Sequence, residues 1–530
     1  MGGKKIMELF NVFSWKKYKK FGLIPHPQPP ETIHSENPDD PGKLAKDKKC
    51  SVLIIGGGLA GLSAAIELAE RGFSVSLYEE KTVVGGKLAT PLLSTNQGGF
   101  HVEHGLHMWF YHYHTCKDII SRLGMNKYFR DYRKVTVAFQ KYRQEVIRSE
   151  PPWYPFNLIG ILLRSPNLSM FDMRYLLNII PDLMYFEFEG IFDRLDDISY
   201  QQWAEKHGVS EKLFAILFEP AASVTINDPQ TISAAELVMW THYFFIGHPK
   251  AMWRKIAIDH HAKTLLDPWA NRLKEHGVKI HLNKTVKGLR FKKDKAVGII
   301  GDKKNYDWVV LACDVAAAQK IMSNSKTEDK KSVKNKETLS KKLGQLKIAP
   351  SYRIMRAWFD RQLDSNRPDI METPQFRPLH LLAQFHQLEE ESKKWAEKTK
   401  GSIIEFHFYA DETIAALPRD KVWDHVKPII LKALPELKNA NLLDFTLGTY
   451  TNFTSFDIGQ GKIRPDSKYP VKLGCENLLL AGDWVHAPFP SALMERATVT
   501  GRIAANHILL KEKVRQVPII KCSNRGPGLF

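Results

Sequence analysis

Apolar residues fall in short runs of two kinds along this chain, and the change of period marks out its elements. SVLII at 51–55 is a continuous apolar stretch ending at a glycine, the pattern of a strand covered on both faces. LAGLSAAIELAERG follows with helical spacing, and VSLYEE at 75–80 repeats the strand signal. After a Gly- and His-rich region the pattern turns helical from about Tyr132, where NLIGILLRS and MRYLLNIIPDLMYF are interrupted by Arg164, Arg174 and Asp182. In DDISYQQW, Ser199 as N-cap and Gln202 three residues on predict a helix start. From Lys279 the runs KIHLN, TVKGLRF, AVGIIG and DWVVLAC shorten and alternate, which predicts a strand meander. A Lys-rich, low-complexity stretch at 324–344 predicts a mobile surface loop. SYRIMRAWFD and GSIIEFHFYA predict strands of a second sheet, and the chain closes with a strand at 477–481, a turn and a helix to about Leu510.

The resulting division is a basic, aromatic extension with a Pro-rich linker at 1–49, then a nucleotide-binding domain assembled from 50–135, 263–323 and 457–512. Between those pieces lie the two parts of a substrate domain, helical at 136–262 and sheet-forming at 345–456. The Lys-rich loop at 324–344 and a tail at 513–530 complete it. A chain of 530 residues exceeds one compact core, so several domains are expected.

Composition adds constraints. Hydrophobic residues make up 43% and charged residues 25%, a soluble globular balance with a net charge of +18. Such an excess attracts anions, whether phosphate-bearing cofactors, acidic lipid or nucleic acid, unless much of it is simply solvated surface. No nucleic-acid recognition module accompanies the lysines, so no nucleic-acid partner is expected. The five cysteines include no CxxC pair, which predicts a reducing compartment and neither a disulfide frame nor a zinc site. No run is long and apolar enough for a membrane-spanning helix, and no signal-peptide layout is present. MELFNVFSWKKYKKFGL nevertheless mixes Phe10, Phe13, Trp15, Tyr18 and Phe21 with lysines; it suits a membrane interface as well as it suits a surface-packed helix or a tail.

The chemistry begins at Gly56-x-Gly58-x-x-Gly61, placed after a strand and at the opening of a helix. Gly56 permits the tight turn, Gly58 lets backbone approach a pyrophosphate, and Gly61 allows close helix–strand packing. The helix N-terminus then favours the phosphate charge, and Glu79, ending the second strand, can accept hydrogen bonds from ribose hydroxyls. This pattern serves NAD and FAD alike. Gly85-Gly86-Lys87 and a distant return of the chain at Gly482-Asp483 provide further contacts, which suits the longer FAD.

With GGGLAGLSAAIELAERG, E…VVGGK, FHVEHGLHMWFYHYHTC and NLLLAGDW…SALMERATVTG in view, the sequence resembles the flavin amine oxidase superfamily, and within it the carotenoid desaturases of the phytoene and ζ-carotene type. RIMRAWFDRQL and the stretch from FHQLEEE to EFHFYA resemble the branch that includes β-carotene desaturase/methyltransferases. The resemblance covers most of 50–512 and implies an α/β protein: a Rossmann-like FAD domain in discontinuous segments, with an inserted α+β substrate domain. It implies that Gly56, Gly58, Gly61 and Glu79 hold the ADP half, that Gly86 and Lys87 lie by the diphosphate and flavin, and that Val286 touches adenine through its backbone. Gly482 and Asp483 are then placed near the ribityl or diphosphate, with Met494 and Glu495 at a helix start near the flavin ring.

Departures from that pattern are Arg496, where a small residue is common, and His112 and His114, where small or amide residues are common. Arg496 implies a narrower or more polar pocket beside the flavin, and the departures together bear on the substrate more than on the cofactor. The implied reaction is hydride transfer from a polyene C–H to flavin with loss of a neighbouring proton; His107 and Glu103 are the catalytic candidates by position. The string His101, His104, His107, His112, His114 invites a metal, but its aromatic interleaving and lack of nearby Cys lead to the expectation of none. The implied partners are an isoprenoid or carotenoid substrate, a peripheral membrane surface and a quinone acceptor, in the cytoplasm, or in a plastid in a photosynthetic eukaryote. An amine oxidase, a β-carotene desaturase/methyltransferase-like enzyme and a non-catalytic flavin-binding protein remain open at this point.

Overall fold

The computed structural model describes residues 29–150, 156–223, 225–327, 330–364 and 366–528. The aromatic and lysine-rich segment Met7–Leu23, read as a membrane-interface element, lies outside the described residues.

Strand Ser51–Ile55 is central in a five-stranded, wholly parallel sheet ordered Lys279–His281, Ser74–Tyr78, Ser51–Ile55, Trp308–Leu311, Leu478–Leu480. Its strands come from three distant stretches of chain. Helices Leu59–Ala69 and Leu493–Lys511 pack against one another beside this sheet. The crevice beyond the carboxyl end of Ser51–Ile55 is where ligands sit in sheets of this kind. The fold is thus the Rossmann-like unit in discontinuous segments that the resemblance implies.

A seven-stranded sheet forms the second layer, ordered Leu442–Tyr450, Tyr352–Phe359, Ser402–Phe408, Leu379–Gln384, Ile370–Glu372, Lys134–Val137, Glu145–Arg148. Its central strands are buried along their whole length, in keeping with their dense Ile, Phe, Trp and Leu content. Helices between Phe156 and Ile246 cover one face; among them Tyr200–Lys206 starts at the reciprocal Ser199/Gln202 capping box expected from sequence.

Four local expectations change. The pattern after Tyr132 is not yet helical: Lys134–Val137 and Glu145–Arg148 are strands at the sheet edge, too short and too polar (KVTV, EVIR) to announce themselves. The meander from Lys279 is not one sheet. Lys279–His281 and Trp308–Leu311 enter the parallel sheet, whereas Leu289–Lys292 and Lys295–Ile299 form a separate hairpin extended by Lys326–Thr327. The Lys-rich stretch contains a helix, Lys330–Gly344, whose Leu339 and Leu343 are buried one turn apart. The tail is not free either: Ile519–Lys521 pairs antiparallel with Glu31–Ile33 of the linker, and Cys522 is buried.

Candidate functional site

A single cavity of about 610 Å³ runs from the crevice of the parallel sheet into the space between the seven-stranded sheet and its helices. At its nucleotide end the glycines act as the motif requires. Gly56 has φ +108, and a Cβ there would lie 2.6 Å from the Ala312 carbonyl oxygen. A Cβ at Gly61 would lie 2.0 Å from the Gly56 carbonyl oxygen, so the helix can seat against the strand only with glycine there. Gly58 is the N-cap of helix Leu59–Ala69 and faces the cavity, with Gly86 Cα 3.7 Å from its virtual Cβ. Gly86 adopts φ +59, and Gly85 donates its N–H to the Gly57 carbonyl at 2.8 Å, docking the second loop onto the first.

Glu79 lies at the end of strand Ser74–Tyr78. Its two carboxylate oxygens accept the Gly57 and Lys81 backbone N–H groups at 2.7 and 2.9 Å, which fixes it in the cavity wall. Val286 lines the same end. Lys87 and Asp483, 396 residues apart, form a 2.6 Å ion pair beside Gly482. Burial opposes ionisation of Asp483, but the Lys87 ammonium outweighs it and holds the carboxyl below its usual range. Leu493 and Met494 line the wall where helix Leu493–Lys511 begins, and Leu493 is held at φ +50, an energetically costly conformation for a branched residue.

Glu495, which the resemblance places near the flavin ring, and Arg496, the departure expected to narrow or polarise the pocket there, both point elsewhere. Glu495 does not line the cavity: its carboxylate accepts the Thr115 and Cys116 N–H groups at 2.7 and 3.0 Å, closing the start of helix His114–Arg122. Arg496 neither narrows nor polarises the cavity; it is buried against Glu236, which it shares with Arg464. His112 and His114 also lie away from the cavity lining, His112 bonded through Nδ1 to the Tyr243 carbonyl at 2.6 Å.

Glu103 and His107 form a different arrangement. Glu103 is buried behind His107 and meets His261 Nδ1 at 2.6 Å and His107 Nδ1 at 3.1 Å. Trp109 Nε1–H donates to His261 Nε2 at 3.1 Å, so the His261 proton resides on Nδ1 and points at Glu103. Burial works against the Glu103 charge, but His261 and His107 overcome it and keep the carboxyl well below its normal range. An ionised Glu103 draws the His107 proton to Nδ1, which leaves Nε2 as the acceptor on a ring that lines the cavity. Both His261 nitrogens are committed, so Glu103, His107 and His261 work as a hydrogen-bond relay despite metal-like spacing. His101 stacks on His260 at 3.7 Å instead of joining His107.

The substrate chamber was not legible from sequence. Its floor crosses the seven-stranded sheet from Tyr352 through His407, Leu381, Glu372 and Val135 to Ile147. That is five strand spacings, or about 24 Å at roughly 4.8 Å each. Leu217, Ala221, Leu237, Trp240 and Phe244 roof it, the first and last on π-helical turns Phe214–Phe218 and His242–Ile246. At the nucleotide end, His104 Nδ1 and Asn452 Oδ1 are buried without a partner.

The residues present fit a flavin dinucleotide. The turn built on Gly56 and Gly61 opens onto a helix N-terminus, and the fixed Glu79 carboxylate shares its wall, which is the donor and acceptor set that a dinucleotide's phosphates and ribose require. Comparison with known proteins agrees. The chain is 28% identical to a carotenoid phi-ring synthase of Streptomyces griseus, covering 88% of this chain and 89% of that protein. It is 23% identical to a probable zeta-carotene desaturase of Synechococcus elongatus, covering 86% and 98%. Among solved structures, a putrescine oxidase superimposes with a TM-score of 0.61 at 14% identity, over 87% of this chain and 99% of that one. The model of the flavin containing amine oxidoreductases matches residues 59–509, so the chain belongs to that family and is an FAD-dependent oxidoreductase.

Proposed function

We propose that this enzyme oxidises a carotenoid or related isoprenoid polyene. The long, largely apolar chamber carries the reading: a floor about 24 Å long, built from one residue per strand, suits a rod-like polyene lying across the sheet. FAD, when bound, supplies the acceptor for the hydride. The chain's own part is to hold the polyene in a dry slot and to take the proton. His107 Nε2 is the acceptor we assign, with Glu103 fixing its tautomer and His261 and Trp109 fixing Glu103. Gly56, Gly58, Gly61, Glu79, Gly86, Lys87, Val286, Gly482, Asp483 and Met494 hold the cofactor in this reading.

The phi-ring synthase relatives favour a ring-ended polyene, in which desaturation accompanies a methyl shift, over an acyclic one. A membrane supplies such a substrate. Phe156, Ile159, Leu163, Phe171 and Leu177 are exposed along the helices from Phe156 to Asn178, and Leu168 of that stretch packs against the same small core, Val137, Phe139 and Ile216, as Leu217 and Ile147 of the chamber wall. Among the described residues no helix is long and apolar enough to cross a bilayer, so this surface is assigned to peripheral docking. A lipid-soluble quinone drawn from the same membrane is the electron acceptor we assign.

The test mixes FAD-loaded protein anaerobically with liposomes carrying phytoene, ζ-carotene or β-carotene. Loss of the oxidised-flavin band with a shifted polyene spectrum is expected. Bleaching by polyamines alone would return the enzyme to the amine oxidases.

A further inference from the structure

Beyond the nucleotide end, two charged side chains line the substrate chamber among the described residues: Arg254, opening strand Arg254–Ala257, and Glu372, closing strand Ile370–Glu372. Arg254 is 8% exposed and lies between the Phe110 and Tyr132 rings, 5.7 and 5.9 Å from their centroids. Its Nη2 donates to the Lys134 carbonyl at 2.9 Å, while its Nε–H is buried without an acceptor. Glu372 forms neither an ion pair nor a side-chain hydrogen bond with Arg254. Burial pushes its carboxyl up to about 7, and the through-space attraction of Arg254 is what opposes that rise.

A buried guanidinium and a carboxyl that line one chamber without a hydrogen bond to each other are costly against a pure hydrocarbon, because neither group then recovers the hydrogen bonds it gave up in water. One small oxygen function relieves either. A hydroxyl in the chamber can accept from the Arg254 guanidinium or donate to Glu372, both of which line it. Neither residue helps form the sheet's hydrophobic core, and apolar residues would fill these positions more cheaply, so their place in this chamber calls for a polar occupant.

We infer that Arg254 and Glu372 form a recognition subsite for a hydroxyl group, and that the substrate is a hydroxylated polyene and not a plain hydrocarbon. This rests on the polyene reading above and names the substrate class within it. Glu372 lies three strand spacings from the strand of Tyr352, about 14 Å, and one spacing short of Val135. The oxygen is therefore held toward the outer half of the chamber, where it sets which polyene enters and how deeply it slides. Arg254 and Glu372 are positioning and specificity residues and supply no hydrogen bond to the His107 relay.

The experiment measures equilibrium binding to the FAD-loaded enzyme, by the shift of the polyene absorbance, for β-carotene, ring-hydroxylated β-carotene and the shorter polyene alcohol retinol. At least one hydroxylated probe should bind the wild type tenfold or more tightly than β-carotene does. Glu372→Gln and Arg254→Leu should each reduce that preference below threefold, with β-carotene bound as tightly as by the wild type or more tightly. Arg254→Lys, which keeps a cation and a donor, guards against a fold defect and should retain part of the preference. Equal affinities in the wild type, or a preference that survives both Glu372→Gln and Arg254→Leu, would overturn the subsite. Flavin bleaching is read in the same samples. Preference without bleaching keeps the subsite and removes the polyene oxidase reading; bleaching without preference does the reverse.

Discussion

Gly58 separates two requirements that glycine motifs usually merge. Its virtual Cβ meets only Gly86, at an ordinary 3.7 Å, and its φ of −75 suits any residue. Gly58→Ala should therefore fold with an unchanged cofactor-free melting temperature, yet retain at most a tenth of the flavin, because the methyl group occupies the approach to the helix N-terminus. Gly86→Ala should lose stability as well, since φ is +59 and the new Cβ would lie 2.9 Å from Gly58 Cα. Flavin absorbance per protein and calorimetry separate the two. At His107 the relay predicts a rate effect with the cofactor in place. His107→Asn should lower kcat about 100-fold, the scale of general base catalysis, with flavin content unaltered. Glu103→Gln should lower kcat less and shift its pH dependence, because a neutral amide no longer dictates the His107 tautomer. A wild-type kcat in both variants would remove His107 from the chemistry.

At the scale of elements, Glu495 shows how a motif residue can serve the scaffold. It stands in the first turn of helix Leu493–Lys511 but closes the start of another helix, His114–Arg122. Glu495→Ala would leave the Thr115 and Cys116 N–H groups unpaired in the interior. The expected loss is about 2–3 kcal/mol in chemical denaturation with flavin binding preserved. The Lys-rich helix Lys330–Gly344 offers the complementary case. Leu343 is fully buried in the core beside the parallel sheet, so Leu343→Ala should cost about 2–5 kcal/mol, whereas a mobile loop would absorb the change without effect. The composition of that stretch hid the helix, because two leucines one turn apart among lysines count for little until a groove receives them. The supposed meander failed for a related reason: Lys279–His281 and Leu289–Lys292 look alike locally, and only their neighbours decide which sheet each joins.

Across the whole molecule, buried histidines set an acid limit. Burial lowers His104 and His114 to about 3, and His242, His380 and His486 to about 4. The unfolded chain takes up these protons near 6.5, and the folded one does not until much lower pH. Stability is then complete above 6.5 and falls as pH drops toward 4, by about 1.4 kcal/mol per pH unit for each histidine kept neutral. Glu372, raised to about 7, works in the opposite sense: the stability of its neutral form is present below about 4.5 and is lost as pH rises to 7. The histidines outnumber it, so the urea midpoint should fall steadily from pH 6.5 to 4.5, and a flat or rising midpoint would contradict this balance.

Some of this protein is written in contiguous residues. The glycine turn with Glu79 at the next strand end, and the Ser199/Gln202 cap, depend on backbone geometry within a few dozen residues; they hold in the structure as the sequence alone determined them. The direction of a side chain across the fold is another matter. The pairing of Lys87 with Asp483, the entry of His261 behind Glu103, the turning of Glu495 and Arg496 away from the cavity, and the shared place of Arg254 and Glu372 in the chamber wall each join segments tens to hundreds of residues apart. Periodicity reports which face of an element is buried. It does not report what that face is buried against, and that long-range choice, made by packing the two sheets and their helices together, decided the chamber.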